Sequence, residues 1–117
     1  MAARSERAAA VQGATAGMTP AIDRFAELRS ATVKAVTEGP GESSAALRQA
    51  LLRGEPPEEL RALCETIRAH AWKVTDEQIA ELAARHGYEQ AFEIIVATVL
   101  GAAGDRLRAG LAALEEA

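Results

Sequence analysis

The chain has 117 residues, a formal net charge of −4, and 49% hydrophobic residues but only 3% aromatic ones. This length suits one small domain with a single core. The mild acidity, with basic residues spread singly along the chain, argues against a nucleic-acid or anionic-membrane surface, and the lone cysteine excludes an internal disulfide or a cysteine-rich metal site.

Alanine dominates the hydrophobic set. It favours helix because it gives up no side-chain entropy there, and it buries little area, so the core must come from Leu, Ile and Val. Residues 1–17 are Ala, Gly, Ser, Thr and Arg without apolar periodicity and read as a flexible tail. They lack the continuous apolar stretch of a signal peptide. Residues 18–117 read as the helical domain. The longest apolar run, AFEIIVATVLGAAG, is interrupted by Glu93 and is too short to span a bilayer. Together with the single thiol, these features point to a cytoplasmic protein.

A first helix is expected from Thr19-Pro20, with Pro at the first helical position. Its apolar stripe is Ile22, Phe25, Ala26, Val33 and Val36, and Glu38-Gly39-Pro40-Gly41 ends it. Ser43 or Ser44 can cap a short second helix carrying Leu47, Ala50, Leu51 and Leu52, which Gly54 stops. Pro56-Pro57-Glu58-Glu59 opens a third, with carboxylates at the favourable end of the dipole and a stripe of Leu60, Leu63, Cys64, Ile67, Ala71 and Val74. The fourth has the clearest local code. Thr75 is its N-cap, Gln78 completes a capping box, and Val74 and Ile79 suit a hydrophobic staple. Ile79, Leu82, Ala83 and His86 share a face, and Gly87 fits a left-handed C′ position.

The fifth helix is expected over about 88–114. Its main stripe is Phe92, Ile95, Val96, Val99, Ala103, Leu107, Leu111 and Leu114, with Ile94, Ala97, Gly101, Gly104 and Ala112 elsewhere around it. A helix apolar on more than one side is buried on more than one side. Each interior glycine costs about 1 kcal/mol relative to alanine, so Gly101 and Gly104 read as points of close helix approach, including across a subunit interface. No segment alternates with period two, so no sheet is expected. The fold class is all-α, with about five helices.

The segment VTDEQIAELAARHGYEQAFEIIVATVLGAAGDRLRAGLAAL resembles the C-terminal helical pair of the alkylhydroperoxidase D-like, carboxymuconolactone decarboxylase family. The matching residues are Val74-Thr75-Asp76-Glu77, Leu82, Gly87, Phe92-Glu93, Val96, Gly101 and Arg106-Leu107. Upstream, GPGESSAALRQALLRGEPPEELRALCETIRAHAWK resembles a short subgroup with a Gly-Pro-Gly turn and a His-Ala-aromatic segment, here His70-Ala71-Trp72. The resemblance spans residues 20–115. It implies an all-helical fold assembled as a homo-oligomer, trimer or hexamer, with pockets where subunits meet.

The redox members of that family share a Cys-x-x-Cys-x-x-x-His motif, and its decarboxylases use a histidine-containing pocket. This chain has one cysteine, and Cys64 and His70 are six residues apart, which matches neither cysteine-to-histidine spacing of the motif. Thiol peroxidase activity is therefore not expected, and no cofactor or metal is. The residues singled out for chemistry are His70 and Glu93 as an acid–base pair, with Cys64, Trp72, Phe92 and Gly101 as pocket or interface residues. Each has a structural counterpart reading: Cys64 as a core thiol, His70 as a packed histidine, Glu93 as a solvated carboxylate, and His86 as a cation suited to a helix C-terminus.

Three functional readings follow. The first is an oligomeric, non-redox protein that binds a small molecule or a protein partner. The second is a decarboxylase or lactone-handling enzyme using His70 with Glu65 or Glu93. The third is a structural helical interaction module.

Overall fold

A computed structural model describes residues 23–116. The tail over 1–17 and the helix start at Thr19-Pro20 lie outside the described residues. Within them the chain is all-helical, with no strand. Helix α1 covers 23–38. It is followed by α2 (Ala45–Leu52), α3 (Arg61–His70), α4 (Asp76–His86) and α5 (Tyr88–Glu116), with short 3-10 turns at Glu58–Leu60 and Ala71–Lys73.

The chain divides into two units, Met1–Val33 and Lys34–Ala117. In the first, the described residues are the opening turns of α1, where Phe25 and Leu28 are exposed.

Local codes account for most of the boundaries there. Ser44 is the N-cap of α2 and accepts from the Leu47 N–H at 3.1 Å, which answers one orphan donor. Gly54 turns the chain out of α2 with φ +78°, a value that only glycine adopts without steric cost. The α4 capping box is complete. Thr75 Oγ1 accepts from the Gln78 N–H at 3.1 Å, and Gln78 Oε1 accepts from the Thr75 N–H at 2.9 Å.

Two expectations need correction here. Gly87 has the positive φ foreseen for it, but its ψ of 155° lies outside the left-handed helical region. The reason is the connection: α5 begins at the next residue, so Gly87 serves both helices. Its N–H donates to Ala83 O at 2.8 Å, and its carbonyl accepts from the Ala91 N–H at 3.0 Å. The stripe of α3 also ends early. His70 leaves helical geometry (φ −148°, ψ 66°), and Ala71 is exposed.

Helix α5 is the central element, packed by α2, α3 and α4. The core is Leu51, Leu60, Cys64, Leu82, Ala91, Ile94 and Ala97. The face of α5 turned inward is Ala91, Ile94, Ala97, Thr98, Gly101 and Ala102. This reverses the expected assignment, because Phe92, Val99, Leu107, Leu111 and Leu114 of the supposed main stripe are exposed.

Gly101 explains the choice of the narrow face. A Cβ built there would stand 2.3 Å from the Leu52 carbonyl oxygen. The close approach foreseen for Gly101 is therefore real, but it is made to the end of α2 within the same chain and is not a subunit contact. Gly104 has no such neighbour; its built Cβ meets only Arg108 Nη1 at 3.6 Å.

Candidate functional site

A polar cluster is centred on Glu93, the residue that interrupts the apolar run. Its carboxylate faces the turn between α1 and α2. Oε2 accepts the Glu42 N–H at 2.9 Å, and Oε1 accepts the Ser43 N–H at 2.8 Å. The Ser43 hydroxyl also donates to Oε1. Gly41 makes room for this arrangement, since a Cβ on it would meet both carboxylate oxygens at 2.9 Å. The Ser43 and Glu42 hydrogen bonds hold the Glu93 carboxyl below the usual carboxylate range.

Arg48 lies beneath the same turn and is only 5% exposed. Its Nη1 donates to Val36 O at 2.6 Å, at the end of α1, and its Nη2 to Ser43 O at 3.4 Å. Its Nε is buried without a hydrogen-bond partner and stands 4.0 Å from Glu93 Oε1. A buried guanidinium demands a compensating anion, and Glu93 supplies it. A shallow cavity of about 170 Å³ opens beside the pair, lined also by Val36, Pro40, Phe92 and Val96. Its apolar walls with two charged groups at one side suit a small amphipathic group.

The other expected residues have different surroundings. Cys64 is in the core, with Sγ 3.6 Å from Thr98 Oγ1, and Thr98 in turn donates to Ile94 O at 2.8 Å. Burial pushes the Cys64 thiol up, and the Thr98 hydrogen bond and the Arg68 charge offset only part of that. A thiol held protonated is a poor nucleophile. His70 is exposed at the end of α3, with its ring edge-on to Trp72 at 5.7 Å. Lys73 Nζ sits 5.1 Å from the Trp72 ring centre. Among the described residues no hydrogen bond or ion pair links His70 to Glu65 or to Glu93. Glu93 and Phe92 thus share one cavity, while Cys64 and His70 have partners elsewhere. Glu65 lines a separate polar hollow near Gly54, Arg61 and Arg68. His86 lines a third, between α3 and α4, with Leu63 and Leu82.

Sequence reasoning missed Ser43 as a carboxylate partner and Arg48 altogether. A signal for Ser43 was present in the doublet Ser43-Ser44. One serine suffices to cap α2, so the other is free for a different acceptor. Arg48 carried no signal, because an arginine between Leu47 and Leu51 reads as the solvated side of a short helix.

Arg68 makes a further charged group. It pairs with Asp105, which also pairs with Arg108, and its carbonyl accepts from Arg106. Among the described residues no group of three His, Cys, Asp or Glu side chains is placed to hold a metal ion. No helix there is long and apolar enough to cross a membrane.

No protein-family model, curated protein or solved structure matches the chain.

Proposed function

We propose that this chain is a homo-oligomeric, non-redox binding protein, built on a helical plan similar to that of the alkylhydroperoxidase D-like, carboxymuconolactone decarboxylase family. One observation carries this reading: every aromatic side chain of the protein lies outside the core. Phe25 is 70% exposed, Trp72 77%, Tyr88 82% and Phe92 64%, and the chain has no others. Aromatic residues bury the largest areas in folded proteins and are enriched in protein–protein interfaces. A protein that fills its core with Leu, Ile and Ala while keeping its aromatics outside is suited to complete its packing against other chains.

The non-redox part of the reading rests on Cys64, which is buried, protonated and without a second cysteine. The Phe92–Arg48–Glu93 cavity is the place for a small ligand, with Phe92 positioned to contribute to a pocket closed by a neighbouring subunit. The acid–base alternative, His70 with Glu65 or Glu93, draws no support from contacts among the described residues. Glu93 is already committed to Ser43, Glu42 and Arg48.

Size-exclusion chromatography with light scattering tests the reading, together with a peroxide-consumption assay of the wild type and Cys64→Ser. The expected results are an oligomer at micromolar concentration and no Cys64-dependent turnover. A monomer at all accessible concentrations would overturn the oligomeric part, and turnover that disappears with Cys64→Ser would overturn the non-redox part.

A further inference from the structure

Helix α5 carries a second apolar stripe that no element within residues 34–116 covers. Phe92, Val99, Leu107, Leu111 and Leu114 on it are exposed large hydrophobics, and residues 105–116 contain no buried position. An isolated helical stretch of this length is marginal in water on propensity alone.

The order of residues along the stripe is close to a palindrome. Ala103, exposed, is its centre. Val99 and Leu107 lie four positions to either side, Val96 and Leu111 seven before and eight after, and Phe92 and Leu114 eleven to either side. A two-fold interface requires this property, because a residue before the axis meets the residue an equal distance beyond it on the other copy. The small side chain at the centre lets two helices approach closely, and the larger ones fill the flanks.

The charges select the direction of pairing. Glu115 and Glu116 end α5, and its last turn contains no basic residue, so these carboxylates sit at the unfavourable end of their own helix dipole. In an antiparallel pair centred on Ala103 they lie at the level of Gln90 and Ala91 of the second copy, at the positive dipole end of its α5 and next to the like charge of Glu89. Arg106 and Arg108 then lie opposite Leu100 and Thr98. A parallel pair would instead set Glu93, Arg106, Arg108 and Glu115 each against its own like charge.

We infer that the open stripe of α5 binds a second copy of this chain in an antiparallel, two-fold pairing centred on Ala103. The inference rests on the oligomeric reading above and adds its surface and symmetry. The contact runs from Phe92 to Leu114, a seam of about 33 Å by about 10 Å at helical dimensions. This is below the roughly 800 Å² per partner of standard interfaces, so the pair on its own is reversible and dissociates on dilution.

Disulfide trapping tests the geometry. Under mild oxidation Ala103→Cys is expected to give a covalent dimer. Phe92→Cys and Leu114→Cys alone are expected to stay uncoupled, and a mixture of these two variants to give a mixed dimer. The wild type, whose only thiol is buried, is the control. Leu107→Glu is expected to weaken self-association at least tenfold in sedimentation velocity while its far-UV melt stays that of the wild-type monomer.

Self-coupling of Phe92→Cys and of Leu114→Cys would show a parallel pair and overturn the inference. An oligomer that Leu107→Glu leaves intact, with Ala103→Cys uncoupled, would place assembly on another face and overturn this pairing while sparing the oligomeric reading. A wild type that remains monomeric at all concentrations would overturn both.

Discussion

The two faces of α5 differ in a way opposite to ordinary expectation. The inward face is Ala91, Ile94, Ala97, Thr98, Gly101 and Ala102; the outward one is Phe92, Val99, Ala103, Leu107, Leu111 and Leu114. The narrower side chains are inside and the bulkier ones outside. Backbone proximity rather than hydrophobicity selects the inner face, because α2 ends so close to Gly101 that no Cβ fits between them. The outer face keeps enough apolar surface to be a core, with no element within residues 34–116 laid over it. Burial of apolar area is therefore satisfied within the protomer on one side and left to association on the other.

The sharpest way to break this comparison is to truncate one side chain on each face. Ile94→Ala opens a cavity in the fully buried center and is expected to cost about 3–4 kcal/mol in urea unfolding. Leu111→Ala, measured at concentrations where the chain is monomeric, is expected to change stability by less than about 0.5 kcal/mol. Equal losses would mean that the outer stripe is already covered in the monomer.

The glycines offer the next largest contrast. Gly101→Val forces side-chain atoms against the Leu52 carbonyl and is expected to cost about 3 kcal/mol through overpacking. Gly104→Ala meets only ordinary contact and gains helix propensity, so about 0.5–1 kcal/mol of stabilisation is expected. Thermal melts of the two variants measure both.

Glu93 links α5 to the turn before α2, and its removal sharpens the role of the polar rim. Glu93→Gln leaves the buried Arg48 guanidinium without its counter-charge, with an expected loss of about 2 kcal/mol. The pH dependence follows from linkage. The folded carboxyl titrates below its unfolded value, so its stabilising contribution is present above the unfolded carboxylate pKa, about 4.3. That contribution is lost as pH falls through the lowered folded value. Urea midpoints of the wild type are expected to drop more steeply below pH 4.5 than those of Glu93→Gln, and parallel curves would refute the assignment. A smaller loss than at Glu93 is expected at the cap of α4, where Thr75→Ala removes one side of the capping box at about 1 kcal/mol.

Much of the site was illegible in the sequence for a definable reason. Glu93 was conspicuous as the one charge in an apolar run, but its partners Glu42 and Ser43 are some fifty positions away, and no local periodicity reports such a contact. Arg48 was invisible because helical spacing gives an angle around α2, not what covers that angle. His70 and Glu93 looked like a pair only as residue types, and the break at His70 leaves the imidazole beside Trp72.

What the sequence determined by itself were the short-range features: helix content from alanine and 3.6-residue spacing, a serine cap at 43 or 44 and the Thr75 cap, the Gly54 and Gly87 stops, and an α5 apolar on two sides. Each depends on interactions within about four residues, and these are written locally. Which side of α5 faces inward was decided only by tertiary structure. Both stripes are apolar enough to be buried, and the deciding contact, the α2 carbonyl against Gly101, joins residues far apart in the chain.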